Sequence, residues 1–104
     1  MTTIEQRVKR GTVAGIDSIS IFGPFDFNDP VVDNLVSQIL SEGKKSIAFD
    51  FSKTSYLTSQ GISCLIKNLK KCQAADATLY IHGATPDMLE LIRMANIDKF
   101  IQII

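Results

Sequence analysis

The chain lacks a charge of either sign in excess: among 104 residues, eleven basic side chains balance eleven acidic ones. No Lys/Arg block is longer than Lys44-Lys45 or Lys70-Lys71, so there is no electrostatic footprint for duplex DNA or an anionic membrane. Nucleic acid and direct membrane contact are therefore not expected. No apolar run approaches the ~20 residues needed to span a bilayer, and the opening ten residues are polar where a signal peptide needs an apolar stretch. A cytoplasmic protein is the expectation.

Cysteine and histidine are scarce too. Cys64 and Cys72 fall in a segment with helical periodicity; eight residues of helix separate them by about 12 Å, well beyond the ~7 Å limit for a disulfide. They read as reduced thiols of the core or its boundary. There is no C-x-x-C pair, and the single histidine, His82, cannot complete a zinc set with two unclustered cysteines. The glycines are scattered, forming neither G-x-x-x-x-G-K-[ST] nor G-x-G-x-x-G, so no phosphate cradle is encoded. No metal and no cofactor are expected. With no low-complexity stretch, linker or repeat, residues 1–104 read as one domain, long enough to bury roughly two-thirds of its unfolded surface.

What is present is an alternation of periods. Ile4, Val8 and Val13, a turn at Ala14-Gly15-Ile16-Asp17, and the alternating Ile19-Ser20-Ile21 predict an antiparallel hairpin over roughly residues 3–22. Val32, Leu35, Val36, Ile39 and Leu40 repeat at helical spacing behind Asp29-Pro30, an N-cap and N1 proline, and ahead of Gly43 at a left-handed C-terminal position. Asp33, Asn34, Gln38 and Glu42 take the other side of that helix. Residues 46–51 form a short, mostly apolar run, as expected of a central strand covered on both faces. After a polar connection, Ile62, Leu65, Ile66, Leu69 and Cys72 predict a helix from about Ser59, with Lys67, Asn68, Lys70, Lys71 and Gln73 as its solvated face. A strand at residues 78–82, a helix opened by Thr85-Pro86-Asp87 and a final apolar piece from Phe100 to Ile104 complete a β-β-α-β-α-β-α-β order. That order implies an α/β fold: a mixed sheet of four to five strands, antiparallel at its N-terminal hairpin and mainly parallel beyond, with helices packed against it.

The junction from Asp50 to Ile62 stands apart, because a buried strand there leads through a loop to a helix opening on two hydroxyl residues, Thr58 and Ser59, with Gly61 two positions on. The carboxyl edge of a parallel sheet is where α/β proteins place ligands and switches. From spacing alone, Thr58 or Ser59 is a helix cap worth about 1 kcal/mol. Asp50 reads as a carboxylate satisfying loop N–H groups, and Asp26 either as a turn cap or as an exposed partner contact.

These stretches resemble the STAS domain of bacterial anti-sigma factor antagonists. An apolar strand ending in Asp50, the pair Tyr56-Leu57, a tetrad Thr58-Ser59-Gln60-Gly61 and an amphipathic helix follow the family pattern. Gly23-Pro24-Phe25-Asp26 stands where the family has Gly, two residues and Asp before its first helix, and Asn96-Ile97-Asp98-Lys99-Phe100 resembles its Gly/Asn-Leu-Asp-x-Phe close. The resemblance covers nearly the whole chain. It implies a non-enzymatic, cytoplasmic regulator of bacterial transcription that works by partner switching: unphosphorylated, it binds a serine protein kinase that is also an anti-sigma factor; phosphorylated, it lets go; and a metal-dependent serine/threonine phosphatase resets it. The phosphorylated serine falls on Ser59, with Thr58, where many members have Asp, as an alternative acceptor. The partner surface implied comprises Asp26, Thr58, Ser59, Gln60, Gly61 and Ser63.

Two other readings compete. Leu57-Thr58-Ser59-Gln60-Gly61 approximates a nucleophile elbow, but the first glycine of G-x-S-x-G is replaced by Leu57 and only His82 could act as base, so a hydrolase is disfavoured. STAS-like domains also serve as scaffold subunits of transporters or sensory assemblies, which is the main alternative. Many STAS domains continue into a further helix after the Asp-x-Phe close. Here the apolar residues Phe100, Ile101, Ile103 and Ile104 either tuck in as an edge strand or form a patch for a partner or a weak homodimer.

Overall fold

The chain's first strands turn on two residues, Ala14 and Gly15, both with positive φ (51° and 78°). That is the backbone sense that matches the right-handed twist of the flanking strands in a two-residue hairpin. β1 (Val8–Val13) and β2 (Ile16–Ile21) pair antiparallel from Val8↔Ile21 to Val13↔Ile16. The structure, a computed structural model, describes residues 3–104. The expected strand start near residue 3 is corrected: Ile4–Arg7 is a single helical turn, α1, closed by a capping box in which Thr3 Oγ1 accepts from Gln6 N and Gln6 Oε1 accepts from Thr3 N. Thr-x-x-Gln is a helix-start signal, and the four-residue spacing of Ile4 and Val8 suits a helical turn as well as a strand.

The sheet has five strands in the order β1-β2-β4-β6-β7, where β4 is Ser46–Asp50, β6 is Thr78–His82 and β7 is Ile101–Ile103. Only β1 and β2 run antiparallel; β2-β4, β4-β6 and β6-β7 are parallel. β4 is central as expected, and Ile47, Ala48 and Phe49 are fully buried. The last strand does tuck against the sheet edge through Ile101, while Phe100, Ile103 and Ile104 stay exposed. Parallel neighbours require crossovers. These are α2 (Pro30–Ser41), α3 (Ser59–Ala74) and α4 (Pro86–Met94). Asp29 caps α2 by accepting from Val31 N at 2.9 Å and Thr85 caps α4 by accepting from Met88 N at 3.2 Å, each followed by an N1 proline.

The connection between β4 and α3 is not merely polar linkage. Thr54–Leu57 forms β5, which pairs in parallel with β3 (Gly23–Phe25) as a separate two-stranded sheet. The expected solvated face of α3 is corrected at Asn68, while Lys70 and Gln73 are exposed as expected. Asn68 is fully buried, donating to Asp33 Oδ1 at 3.0 Å and to Cys64 O at 2.8 Å; Lys67 Nζ reaches Asp33 Oδ2 at 2.7 Å, and Lys71 donates to Ser37 Oγ. Asp33, placed by periodicity on the outer side of α2, instead turns toward α3 because three polar residues there converge on its helix. Cys64 and Cys72 are free and buried, and burial pushes both thiols up to about 11.

At the far end, Arg10 ties hairpin to helix, bonding Asp17 Oδ1 at 3.0 Å and both carboxylate oxygens of Glu42 at 2.6 and 2.8 Å. The hairpin turn itself carries strain, since a left-handed alanine costs roughly 1–2 kcal/mol while asparagine visits that region readily. Ala14→Asn is therefore expected to stabilise the fold by about 1 kcal/mol, raising Tm by roughly 4–8 °C in thermal unfolding. An unchanged Tm would mean that the turn is unstrained.

Candidate functional site

The site grows from the carbonyl of Phe25. Phe25 is fully buried in a cluster of four phenylalanines, with ring centroids 5.1 Å from Phe27, 6.4 Å from Phe49 and 5.8 Å from Phe51. Its carbonyl oxygen accepts from Thr58 N at 3.2 Å and from Thr58 Oγ1 at 3.5 Å. A Cβ on Gly61 would lie 2.2 Å from that same oxygen and 2.8 Å from Leu57 Cδ1. The first turn of α3 thus rests on the β3 backbone at a distance only hydrogen allows.

That contact orients everything else on the turn. Successive helical residues are rotated by about 100°, so with Gly61 facing the core, Ser59 lies about 200° away, on the outside. Ser59 is exposed, as are Gln60 and Ser63, and Ser63 shares the face of Ser59 at i+4. Thr58 is the N-cap residue, half-buried, but its side chain makes no capping bond; the hydroxyl turns instead to Phe25. The first intrahelical bond is Ile62 N to Thr58 O at 2.9 Å, which leaves the N–H groups of Ser59, Gln60 and Gly61 without a partner inside the helix. The first turn carries no acidic residue.

Asp26 follows Phe25 directly and is exposed, with one carboxylate oxygen 3.5 Å from Arg7 Nη2. The site thereby brings Asp26 to the strand that Thr58 and Gly61 touch. Asp50 has the structural role expected of it: Oδ1 accepts from Ser52 N at 3.0 Å and Oδ2 from Ser20 Oγ at 3.3 Å. Partial burial opposes the Asp50 charge, but the Ser52 backbone and hydroxyl, His82 and Ser20 outweigh it and hold the carboxyl below its ordinary value. His82 lies beside Asp50 across β4-β6 with Nδ1 3.3 Å from Ile104 O. Ser59 has no imidazole partner among the described residues, and no group there of three or more His, Cys, Asp or Glu could hold a metal.

Three contributors escaped sequence reasoning. Arg7 and the Phe25 carbonyl act through tertiary contact and leave no local signal. Tyr56 is half-exposed on β5 beside the tetrad, in a four-residue strand whose burial does not alternate.

Two outcomes follow from this geometry. Gly61→Ala drives a methyl group into a backbone carbonyl and is expected to cost about 1–3 kcal/mol, read as a lowered denaturation midpoint together with loss of protection at the Thr58 amide. Because Asp50 titrates lower folded than unfolded, its contribution to stability is complete above its unfolded value near 3.8 and is lost as pH falls through the folded value. Asp50→Asn should therefore be less stable than wild type at neutral pH, with the gap narrowing on acidification below pH 4.

The STAS domain family matches residues 9–104. No curated protein matches the chain. Among solved structures, the anti-sigma factor antagonist SpoIIAA in its unphosphorylated form is similar at 16% identity, over 93% of this chain and 86% of that one, with a TM-score of 0.68. SpoIIAA of Bacillus in its phosphorylated form is similar at 15% identity, over 93% and 90%, with a TM-score of 0.66. An anti-sigma factor antagonist from Mycobacterium paratuberculosis is similar at 16% identity, over 92% and 82%, with a TM-score of 0.73.

Proposed function

The chain belongs to the STAS domain family, and from that premise we propose that it is a partner-switching regulator of the anti-sigma factor antagonist type, controlled by phosphorylation of Ser59. Unphosphorylated, it binds a serine kinase that is also an anti-sigma factor, in the bacterial cytoplasm. Phosphate on Ser59 ends that association, and a metal-dependent serine/threonine phosphatase restores it. The observation that carries this reading is the exposed Ser59 hydroxyl on the first residue of α3, above a turn fixed by the Gly61 contact. Thr58, half-buried with its hydroxyl turned to Phe25, is the poorer acceptor.

A phosphate there adds a charge of about −1.5 to −2. It meets free N–H groups and the positive end of the helix dipole, an interaction worth ~0.3–1 kcal/mol in favour, with no carboxylate in the first turn to repel it. The fold accepts the group. In a contact surface the same charge must be desolvated, and a coupling of ~3 kcal/mol weakens association about 150-fold. The nearly equal similarity to SpoIIAA in its unphosphorylated and phosphorylated forms supports a modification that acts on the surface rather than on the fold.

Phosphopeptide mass spectrometry of the chain from its native host is expected to find phosphate on Ser59 and to lose it when the cognate kinase is deleted. Ser59→Asp should keep the circular dichroism and melting curve of wild type yet fail to bind that kinase, whereas Ser59→Ala should bind and stay bound. A Ser59→Asp protein that unfolds would refute the switch; constant association with an ATPase subunit, indifferent to Ser59→Asp, would establish the scaffold reading in its place.

A further inference from the structure

β3 is a three-residue strand whose only sheet partner among the described residues is β5, and an isolated two-stranded ribbon is marginal in water. Yet this strand carries the carbonyl on which the Ser59 turn rests. The phenylalanine cluster holds it from beneath; from the outer side, one side chain does so. Arg7 Nε donates to Phe22 O at 3.1 Å and Nη2 donates to Pro24 O, so the guanidinium grips the carbonyls on both sides of Gly23. The same guanidinium sits 3.5 Å from the Asp26 carboxylate and 5.0 Å from the centroid of the Phe27 ring. Phe22 N in turn donates to Arg7 O at 2.8 Å. The capping box on α1 holds the turn from which Arg7 projects.

We infer that Arg7 is a positioning residue for the Ser59 surface: it clamps residues 22–27, and through them the Phe25 carbonyl and Asp26, in the arrangement a kinase partner recognises. The first half stands on geometry alone, and the recognition half rests on the reading of Ser59 as the switch. Arginine is needed because its planar fork carries five donors in fixed directions, enough for two carbonyls and a carboxylate while its flat face covers an aromatic ring. A lysine ammonium in the same place keeps the charge but cannot span two carbonyls and stack at once. Arg7 does not touch the Ser59 hydroxyl, so it affects docking of the surface and not the phosphoryl transfer itself.

The test uses the full chain with Arg7→Met and, should that variant fold poorly by circular dichroism, Arg7→Lys. Amide hydrogen exchange at Thr58, whose N–H bonds the Phe25 carbonyl, is expected to speed up about tenfold in either variant while β4 amides keep wild-type protection. Unchanged exchange at Thr58 overturns the clamp. Initial phosphorylation rates in an ATP-supplemented extract of the native host, with the concentration of the chain varied, should show apparent KM raised about tenfold at unchanged maximal rate. A loss of maximal rate at constant KM, or no change in either, overturns the recognition half. If the extract leaves wild-type Ser59 unmodified, the switch reading and the recognition half fall together, and Thr58 exchange still decides the clamp.

Discussion

Everything at the candidate site depends on how closely the start of α3 lies against the backbone of β3. The gap between Gly61 and the Phe25 carbonyl has no room for a methyl group, and both sides are stiff: the helix by its own hydrogen bonds, the strand by a phenylalanine cluster and by Arg7. A close contact between two rigid backbones fixes a rotation angle as well as a distance. Once Gly61 faces inward, helical periodicity leaves Ser59 and Ser63 on the outer face and turns Thr58 toward the strand.

The same rigidity means that the proposed charge at the head of α3 would act on the surface rather than on the fold. α2 and α3 are joined by Asp33, whose carboxylate takes Lys67 Nζ on one oxygen and the buried Asn68 amide on the other. Breaking such a set would leave a desolvated charge behind, so the two helices behave as a unit. A dianion at the head of α3 finds a favourable dipole and no need to repack the interior. The free energy of such a modification would thus be available to act on a partner docked against the turn.

Much of the fold was legible because its elements carry their own chemistry. Asp29-Pro30 and Thr85-Pro86 start helices by capping rules that work over three residues, and Gly43 ends α2 with a φ of 84°. The capping box at Thr3 and Gln6 was equally local, and the four-residue spacing of Ile4 and Val8 suits a helical turn as well as one face of a strand. β3 and β5 could not be read, because three- and four-residue strands show too little alternation, and their pairing joins segments about thirty residues apart. Asn68 looked solvated because periodicity assigns polar residues to water, whereas Asp33 on a neighbouring helix gives its amide a partner in the interior.

The sequence by itself determined the order of the five strands of the main sheet and of the three long helices, the N-terminal limits of those helices, the central place of β4 and the presence of hydroxyls at the head of α3, since each follows from short-range propensity and periodicity. Only the tertiary structure decided which hydroxyl faces out, that Gly61 is a point of contact, and that Arg7 reaches across fifteen residues to brace the strand beneath. Those are matters of distance between segments remote in the chain, and local spacing carries no record of how two surfaces meet.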